Sequence, residues 1–325
     1  LQAVILRANG GPEKLQIESV ADPRAGAGDV LVRLTHSSLN FHDVLVRRGD
    51  IRTVLPRIIG MDGCGTRLDT GERVVISPSL LWGASPKHPG KDWEILGDVR
   101  DGTYAELVAV PADNVFLAPR GFSSAETAAL PVGGLTAFRA LFTRGHLAAG
   151  EKVLVLGAGG GVATFLVSLA AAAGAEVFVT SSSVNKILWA KEIGASDGIL
   201  YTDSDWVAQA LDMTGGGADL VIDFVGRDMG ASLRCAQPGG RVVCFGGGPG
   251  VEARFNLREF FFSQRSVIGT TLGSTEDFVG LLNFIEDHPR WRPVSDVEFP
   301  LAQVAEAHAR LESGAQFGKI VLHHG

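Results

Sequence analysis

Between about residue 130 and residue 273, short apolar runs alternate with longer stretches whose apolar positions recur at helical spacing. EKVLVLG, EVFVTSS, GILY, DLVIDFVG, RVVCFGG and SVIGTTLG read as strands. VATFLVSLAAAAG, NKILWAKEIG, WVAQALDMTG and MGASLRCAQ, which lie between them, read as helices. This alternation predicts right-handed βαβ units and a doubly wound parallel sheet. Residues 1–125 have a different pattern. VILRAN, DVLVRLTHSSL, ERVVISP and YAELVAV are short β-branched runs cut by Gly, Pro and Asp, and they predict a β-rich region. After Ser274 come two amphipathic stretches, DFVGLLNFIED and AQVAEAHARLESG, and then a strand in GKIVLHH. The Gly/Pro-rich loop 80–102 is long enough to expect a functional use.

A chain of 325 residues exceeds one ordinary core, so two domains are expected. The net charge of −7 argues against general nucleic-acid or membrane affinity. The apolar segment Val162–Ala173 is bounded by glycines and too short to span a bilayer, so it reads as a buried helix. The opening LQAVILRANG has no basic stretch or cleavage site and reads as a strand. Cys64, Cys235 and Cys244 have neither metal-ligand spacing nor the makings of a disulfide framework. A reducing, cytoplasmic setting is expected. Cys64 and Cys244 read as small buried apolar residues.

The turn after EKVLVLG carries the first chemistry. In GAGGGVA, the small residues Gly157, Ala158, Gly159, Gly160 and Gly161 lead into a helix through Val162. Small residues let the backbone approach a pyrophosphate, and the helix N-terminus then offers N–H groups to the phosphates. The strand–turn–helix context makes this a dinucleotide site rather than a merely tight turn. The next strand ends in VTSSS. A carboxylate there would bind the ribose hydroxyls of NAD, whereas a positive group accommodates the 2′-phosphate of NADP. Ser181, Ser182, Ser183 and Lys186 are all donors, so NADPH is the expected cofactor. Ser182 and Ser183 also suit capping of a helix beginning near Asn185.

SLNFHDVLVRRG, IIGMDGCG, GERVVI, DGTYAELVAVP, LPVGGLTAFRAL, VLVLGAGGGVA and RLESGAQFGKIVL, in that order, resemble recurring segments of the medium-chain dehydrogenase/reductase superfamily. The resemblance covers essentially the whole chain. It is nearest to the zinc-type alcohol-dehydrogenase-like and quinone-oxidoreductase-like branches. It implies an α/β protein with a Rossmann domain over 134–271 and a β-rich, GroES-like catalytic domain over 1–133 and 272–325. In zinc-carrying members the catalytic ligands fall at the positions of Asn40, Met61 and about Val132, and a Glu stands at Asp62. Asn is a poor zinc ligand, and Met and Val do not serve. Loop 80–102 has none of the cysteines of the family's structural zinc lobe. No metal is expected.

By the same resemblance, Asn40, Phe41 and His42 border the nicotinamide and the substrate. Asn40 is expected to hydrogen-bond a carbonyl oxygen. His42 is a candidate general acid or a partly exposed surface histidine. Asp43 and Asp62 are expected to orient their neighbours. Thr136 resembles the residue packed beside the nicotinamide. Phe245, Gly246 and Gly247 follow a strand end where cofactor lies in such sheets. The 269–273 segment, with Thr271 and Leu272, is expected to frame the nicotinamide and to supply a dimer edge strand. Lys319 falls where a basic residue contacts the pyrophosphate, or is a solvated surface lysine. Trp82 and Trp93 are candidates for a pocket lid.

Without a Lewis acid, nothing lowers an alcohol's pKa, but hydride transfer to an already electrophilic acceptor stays feasible. The expected activity is zinc-independent, NADPH-dependent reduction of a quinone or α,β-unsaturated carbonyl by a homodimer. The alternatives are a carbonyl reductase or alcohol dehydrogenase of the same superfamily, and an NADPH-binding protein with little catalysis.

Overall fold

A computed structural model of the chain describes residues 1–246 and 252–325. The chain divides into two compact units, Leu1–Leu135 with Gly273–Gly325, and Thr136–Leu272. Among the described residues, no helix is long and apolar enough to cross a membrane.

The second unit is built on a parallel six-stranded sheet. Its order is Asp197–Leu200, Glu176–Ser181, Lys152–Leu156, Ala218–Asp223, Ala236–Cys244 and Ser266–Gly269. The chain starts in the middle, runs outward on one side, then crosses back and runs outward on the other. That reversal makes a switch point beside the carboxyl ends of Lys152–Leu156 and Ala218–Asp223, where such sheets bind ligands. Central strands of this kind are covered on both faces, which is why VLVL and LVI are continuous apolar runs. The helix Gly161–Ala172 is apolar all round, and every residue from Ala163 to Ala170 is buried. The strand Ala236–Cys244 begins well before RVVC, because Gly239 in the left-handed region takes up an irregular register opposite Ala218–Leu220. Among the described residues, Ser266–Gly269 is the outer strand, paired only with Ala236–Cys244. Val267 in it is exposed, as are Leu257, Phe261 and Phe262 of the helix Leu257–Phe262. Phe260 alone of the three consecutive phenylalanines is partly covered.

In the first unit the long strand Asp29–Ser38 organises a largely antiparallel sheet. It pairs with Asp62–Arg67 on one side, and with Leu107–Pro111 and Lys319–His323 on the other. Lys319–His323 pairs in parallel with Ser295–Pro300. The last strand thus lies against one of the first. The helix Phe41–Arg48 follows Asp29–Ser38 directly. Asn40 is its N-cap residue, and Gly49, at φ 89°, ends it in the left-handed conformation that favours glycine. Loop 80–102 is held by a short hairpin, Ser79–Leu80 with Glu94–Ile95. Trp82 is buried, and its ring meets Trp93 edge-on at 5.8 Å. Their indole N–H groups donate to Ser85 O and Ser79 Oγ. These contacts make the two tryptophans the loop's own core, and they correct the expectation that they form a lid.

Candidate functional site

The glycine turn of the second unit is pinned to the neighbouring strand. Gly157 N donates to Thr180 O and Oγ1, at 3.2 and 3.1 Å, and Ala158 N donates to Thr180 O at 2.7 Å. Gly157 and Gly159 both have left-handed backbones, φ 95° and 105°, where an L side chain would be strained. Gly160 then caps the helix Gly161–Ala172 with no side chain of its own. The first-turn N–H groups at Gly161 and Val162 are thereby presented as an anion site.

Lys186 lies across this turn. A Cβ on Gly159 would fall 2.6 Å from its Cδ, so the lysine methylenes rest on the bare face of the glycine. Lys186 is on the helix Val184–Glu192, which starts one residue earlier than expected. Ser183 is the N-cap residue, yet its hydroxyl makes no capping bond. Ser182 is exposed. Ser181 corrects the sequence reading: it is buried at the end of its strand, and its hydroxyl accepts from Ser183 N at 3.2 Å. Lys186 thus lies on the turn, while Ser182 and Ser183 lie at the start of the segment that leads into its helix.

The other expected cofactor residues of this unit are placed as follows. Phe245 stacks on Phe224 with ring centroids 5.7 Å apart. Gly246 has φ 71°, and a Cβ there would meet Phe224 O at 3.1 Å. Gly247 lies outside the described residues. Thr136 is buried, Thr271 is exposed and Leu272 is buried. Phe224 and Val225 also flank Gly157, at 3.4 and 3.5 Å from the position of a Cβ there. Sequence reasoning passed over both, although they follow the strand that borders the switch point. The buried Asp223 accepts from Val225 N, Gly226 N and Ser232 Oγ, so its carboxylate shapes this loop.

In the first unit, Asn40, Asp62 and Lys319 form one buried cluster. Lys319 Nζ donates to Leu39 O at 2.7 Å, Asn40 Oδ1 at 2.6 Å and Asp62 Oδ2 at 2.8 Å. Asp62 Oδ2 also accepts from Ser38 Oγ at 2.7 Å and Asn40 Nδ2 at 2.9 Å, and Oδ1 accepts from Val132 N at 2.8 Å. All three N–H bonds of the ammonium are used. Lys319 therefore has no donor left for a pyrophosphate, and the expectation that it serves there is corrected. The cluster also tests the fit of zinc. Asp62 has its acceptor positions filled by four donors, and a fixed cation already stands beside it. Asn40, Met61 and Val132 do not supply what tetrahedral zinc needs, and the residues do not fit that ion.

Phe41 is half exposed at the start of its helix. His42 is partly exposed, with Nε2 3.2 Å from Asp98 Oδ2. The carboxylate fixes the proton on Nε2, so Nδ1 is the nitrogen through which this ring can exchange one. Cys64 is buried, and burial pushes its thiol up to about 11, as expected of a packing residue rather than a nucleophile.

A second buried chain supports Asn40 from below. Asp43 Oδ2 accepts from Asn40 N at 2.8 Å and from Tyr104 OH at 3.1 Å. Tyr104 OH lies 3.4 Å from His308 Nε2, and Arg47 Nη1 lies 3.4 Å from His308 Nδ1. Arg47 only donates, so Nδ1 accepts and the ring is neutral. Burial, and then the Arg47 charge, hold His308 down to about 3, below the ordinary 6.5. The unfolded chain takes up this proton more readily, so the stabilisation is complete above pH 6.5 and is lost as pH falls towards 3. Burial raises Asp43 from 3.8 to about 6, which has the opposite sign: stability falls as pH rises between those values. The two slopes offset one another in the parent from about pH 4 to 6. The destabilisation caused by His308→Gln is therefore expected to shrink as pH drops from 7 to 4. Calorimetry on both proteins across that range checks it; a pH-independent difference would contradict the neutral, buried ring.

A groove of about 590 Å³ in the first unit, lined by Ile5, Arg7, Val20, Ile58, Arg100 and Leu107 among others, contains none of these residues.

Comparison with known proteins follows the same division of the chain. Residues 26–120 match the alcohol dehydrogenase GroES-like domain, and residues 161–287 match the zinc-binding dehydrogenase domain. A zinc-type alcohol dehydrogenase-like protein of Schizosaccharomyces pombe is 32% identical, over 96% of this chain and 94% of its own length. The crystal structure of an NAD-dependent alcohol dehydrogenase matches with a TM-score of 0.91 at 33% identity, covering 100% of both chains. A quinone oxidoreductase from Thermus thermophilus, solved also in complex with NADPH, matches with a TM-score of 0.82 at 30% identity, again over 100% of both.

Proposed function

The chain belongs to the medium-chain dehydrogenase/reductase superfamily of oxidoreductases, and we propose that it transfers hydride from NADPH to a quinone or an α,β-unsaturated carbonyl without zinc. The observation that carries the cofactor choice is Lys186. It lies on Gly159 of the turn and follows Ser182 and Ser183 in the sequence, where an NAD-binding site would hold a carboxylate. The 2′-phosphate of NADPH supplies the acceptor oxygens these three residues suit, and the turn and the N-terminus of Gly161–Ala172 suit the pyrophosphate.

When bound, the dihydronicotinamide supplies one hydride. The acceptor takes up that hydride and one proton, so a quinone leaves as the hydroquinone and an enone as the saturated carbonyl. The chain's part is to bind and orient, and to meet charge as it develops on the acceptor's oxygen. Asn40 offers an amide N–H for that oxygen. His42, with Nε2 held by Asp98, has Nδ1 for proton exchange. The Asn40–Asp62–Lys319 cluster supports an acceptor that is electrophilic already, since its donors do not suit the ion that would activate a simple alcohol.

The test is NADPH oxidation with a soluble ortho-quinone, using protein treated with a chelator and shown to be metal-free. Turnover equal to that of untreated protein is expected. No turnover while NADPH still binds would sink the quinone assignment. Activity that returns only with added zinc would sink the metal-free one.

The same reading includes a homodimer. Among the described residues, the outer edge of Ser266–Gly269 pairs with no further strand, and Val267, Phe261 and Phe262 are exposed near it in sequence. A second copy fits because an edge strand is self-complementary across a two-fold axis. Phe262→Glu combined with Val267→Lys is expected to shift sedimentation from dimer to monomer. A parent that sediments as a monomer at micromolar concentration would end this part of the proposal.

A further inference from the structure

A primary amide can present either its N–H or its oxygen, and its heavy-atom shape barely distinguishes the two. At Asn40 the neighbours decide. An ammonium only donates, so the Asn40 atom 2.6 Å from Lys319 Nζ is the oxygen. An ionised carboxylate only accepts, so the atom 2.9 Å from Asp62 Oδ2 is the nitrogen. The flipped amide would set two acceptors together at Asp62 and two donors together at Lys319. One Nδ2 hydrogen is spent on Asp62, and among the described residues the second has no hydrogen-bond partner. The helix-cap contact of Asn40 N with Asp43 holds the backbone in place beneath it.

We infer that Lys319, acting with Asp62, is the positioning residue that fixes Asn40 as a hydrogen-bond donor and thereby selects acceptors with a carbonyl oxygen. This rests on the carbonyl-acceptor reading given above. The ammonium does more than hold the orientation. A charged donor on the amide oxygen draws electron density from the amide, which makes the remaining N–H a stronger donor as negative charge grows on a substrate oxygen. By resemblance, these positions lie where zinc-carrying relatives place their metal. In this chain the fixed positive charge comes from Lys319 and reaches the acceptor through one side chain. Lys319 itself touches no substrate, because all its hydrogens are committed.

The test is a pair of variants examined alone and together. Asp62→Asn with Lys319→Met removes both charges at once, so no buried charge is left unpaired. With the quinone, kcat of this protein is expected to fall by about tenfold or more, against about a hundredfold when Asn40→Ala deletes the donor itself. The Kd for NADPH should stay within about twofold in each, since neither change touches the glycine turn. In the Asn40→Ala background the charge-pair change should cost almost nothing further, because the residue it acts through is gone. An equal loss in both backgrounds, or no loss in the parent background, would overturn the inference. A readout independent of turnover is the side-chain amide of Asn40 in ¹⁵N-labelled protein. In the parent, the Nδ2 proton bonded to Asp62 should be protected from exchange. In the charge-pair variant that protection should be lost. If the parent turns over no quinone, the functional reading fails and this spectrum still decides the orientation; unchanged protection in the variant would overturn it.

Discussion

Lys186→Glu is expected to raise the Kd for NADPH by about a hundredfold while leaving that for NADH within a few-fold. On the proposed reading, the change turns a cation that meets the 2′-phosphate into an anion. Two unit charges 4 Å apart interact by about 4 kcal/mol at an effective dielectric of about 20. Lys186 is only half-buried, so solvent and salt reduce that figure. About 2.7 kcal/mol surviving corresponds to the hundredfold. Ser182→Asp gives an independent check, because it adds the same charge without disturbing the methylenes on Gly159. Titration calorimetry with both cofactors reads the result. Equal weakening of NADPH and NADH would mean that Lys186 merely packs on the turn, and the cofactor assignment would fall.

Lys319→Met is expected to destabilise the first unit by roughly 3–5 kcal/mol, the usual cost of leaving a buried charge without its partner. Asp62 is fully buried and would keep three donors but lose the counter-ion paired with it. The second unit contains neither residue. A calorimetric scan should therefore show the first unit melting earlier while the transition of the second stays near its parent position. Adding Asp62→Asn should restore most of the loss. A single unshifted transition for Lys319→Met would show that the cluster contributes little to the fold.

The second unit was legible because its signals are local. Each strand and helix carries its own period, and the phosphate turn is contained in GAGGGVA. What was not legible there was orientation. Ser181, Ser182 and Ser183 look alike in sequence, and only the end of the strand at Ser181 turns the first inward. The site of the first unit is assembled from residues 38, 40, 62, 132 and 319, with Asn40 and Lys319 alone 279 positions apart, so spacing gives no hint of the cluster. One signal was available: Lys319 opens a strand whose next three residues, IVL, are apolar, where a charge needs a buried partner. His308 had a similar one, since it shares a helix face with Val304, and both are buried. Trp82 and Trp93 looked like a lid because a long loop suggests motion. Their own packing shows a loop that carries a small core.

The distance between Lys319 and Asp62 along the chain also sets an order of events during synthesis. They are 257 residues apart. At about 5–20 residues per second, Asp62 emerges roughly 10–50 s before its counter-ion. All of Thr136–Leu272 is made in the interval, so the parallel sheet can close while Asp29–Ser38 still has an open edge awaiting Lys319–His323. A nascent or truncated chain ending before Lys319 would hold every piece of the cofactor turn and no fixed donor. Retained nucleotide binding with lost oxidoreductase activity would then be the mark of incomplete translation rather than of a damaged cofactor site.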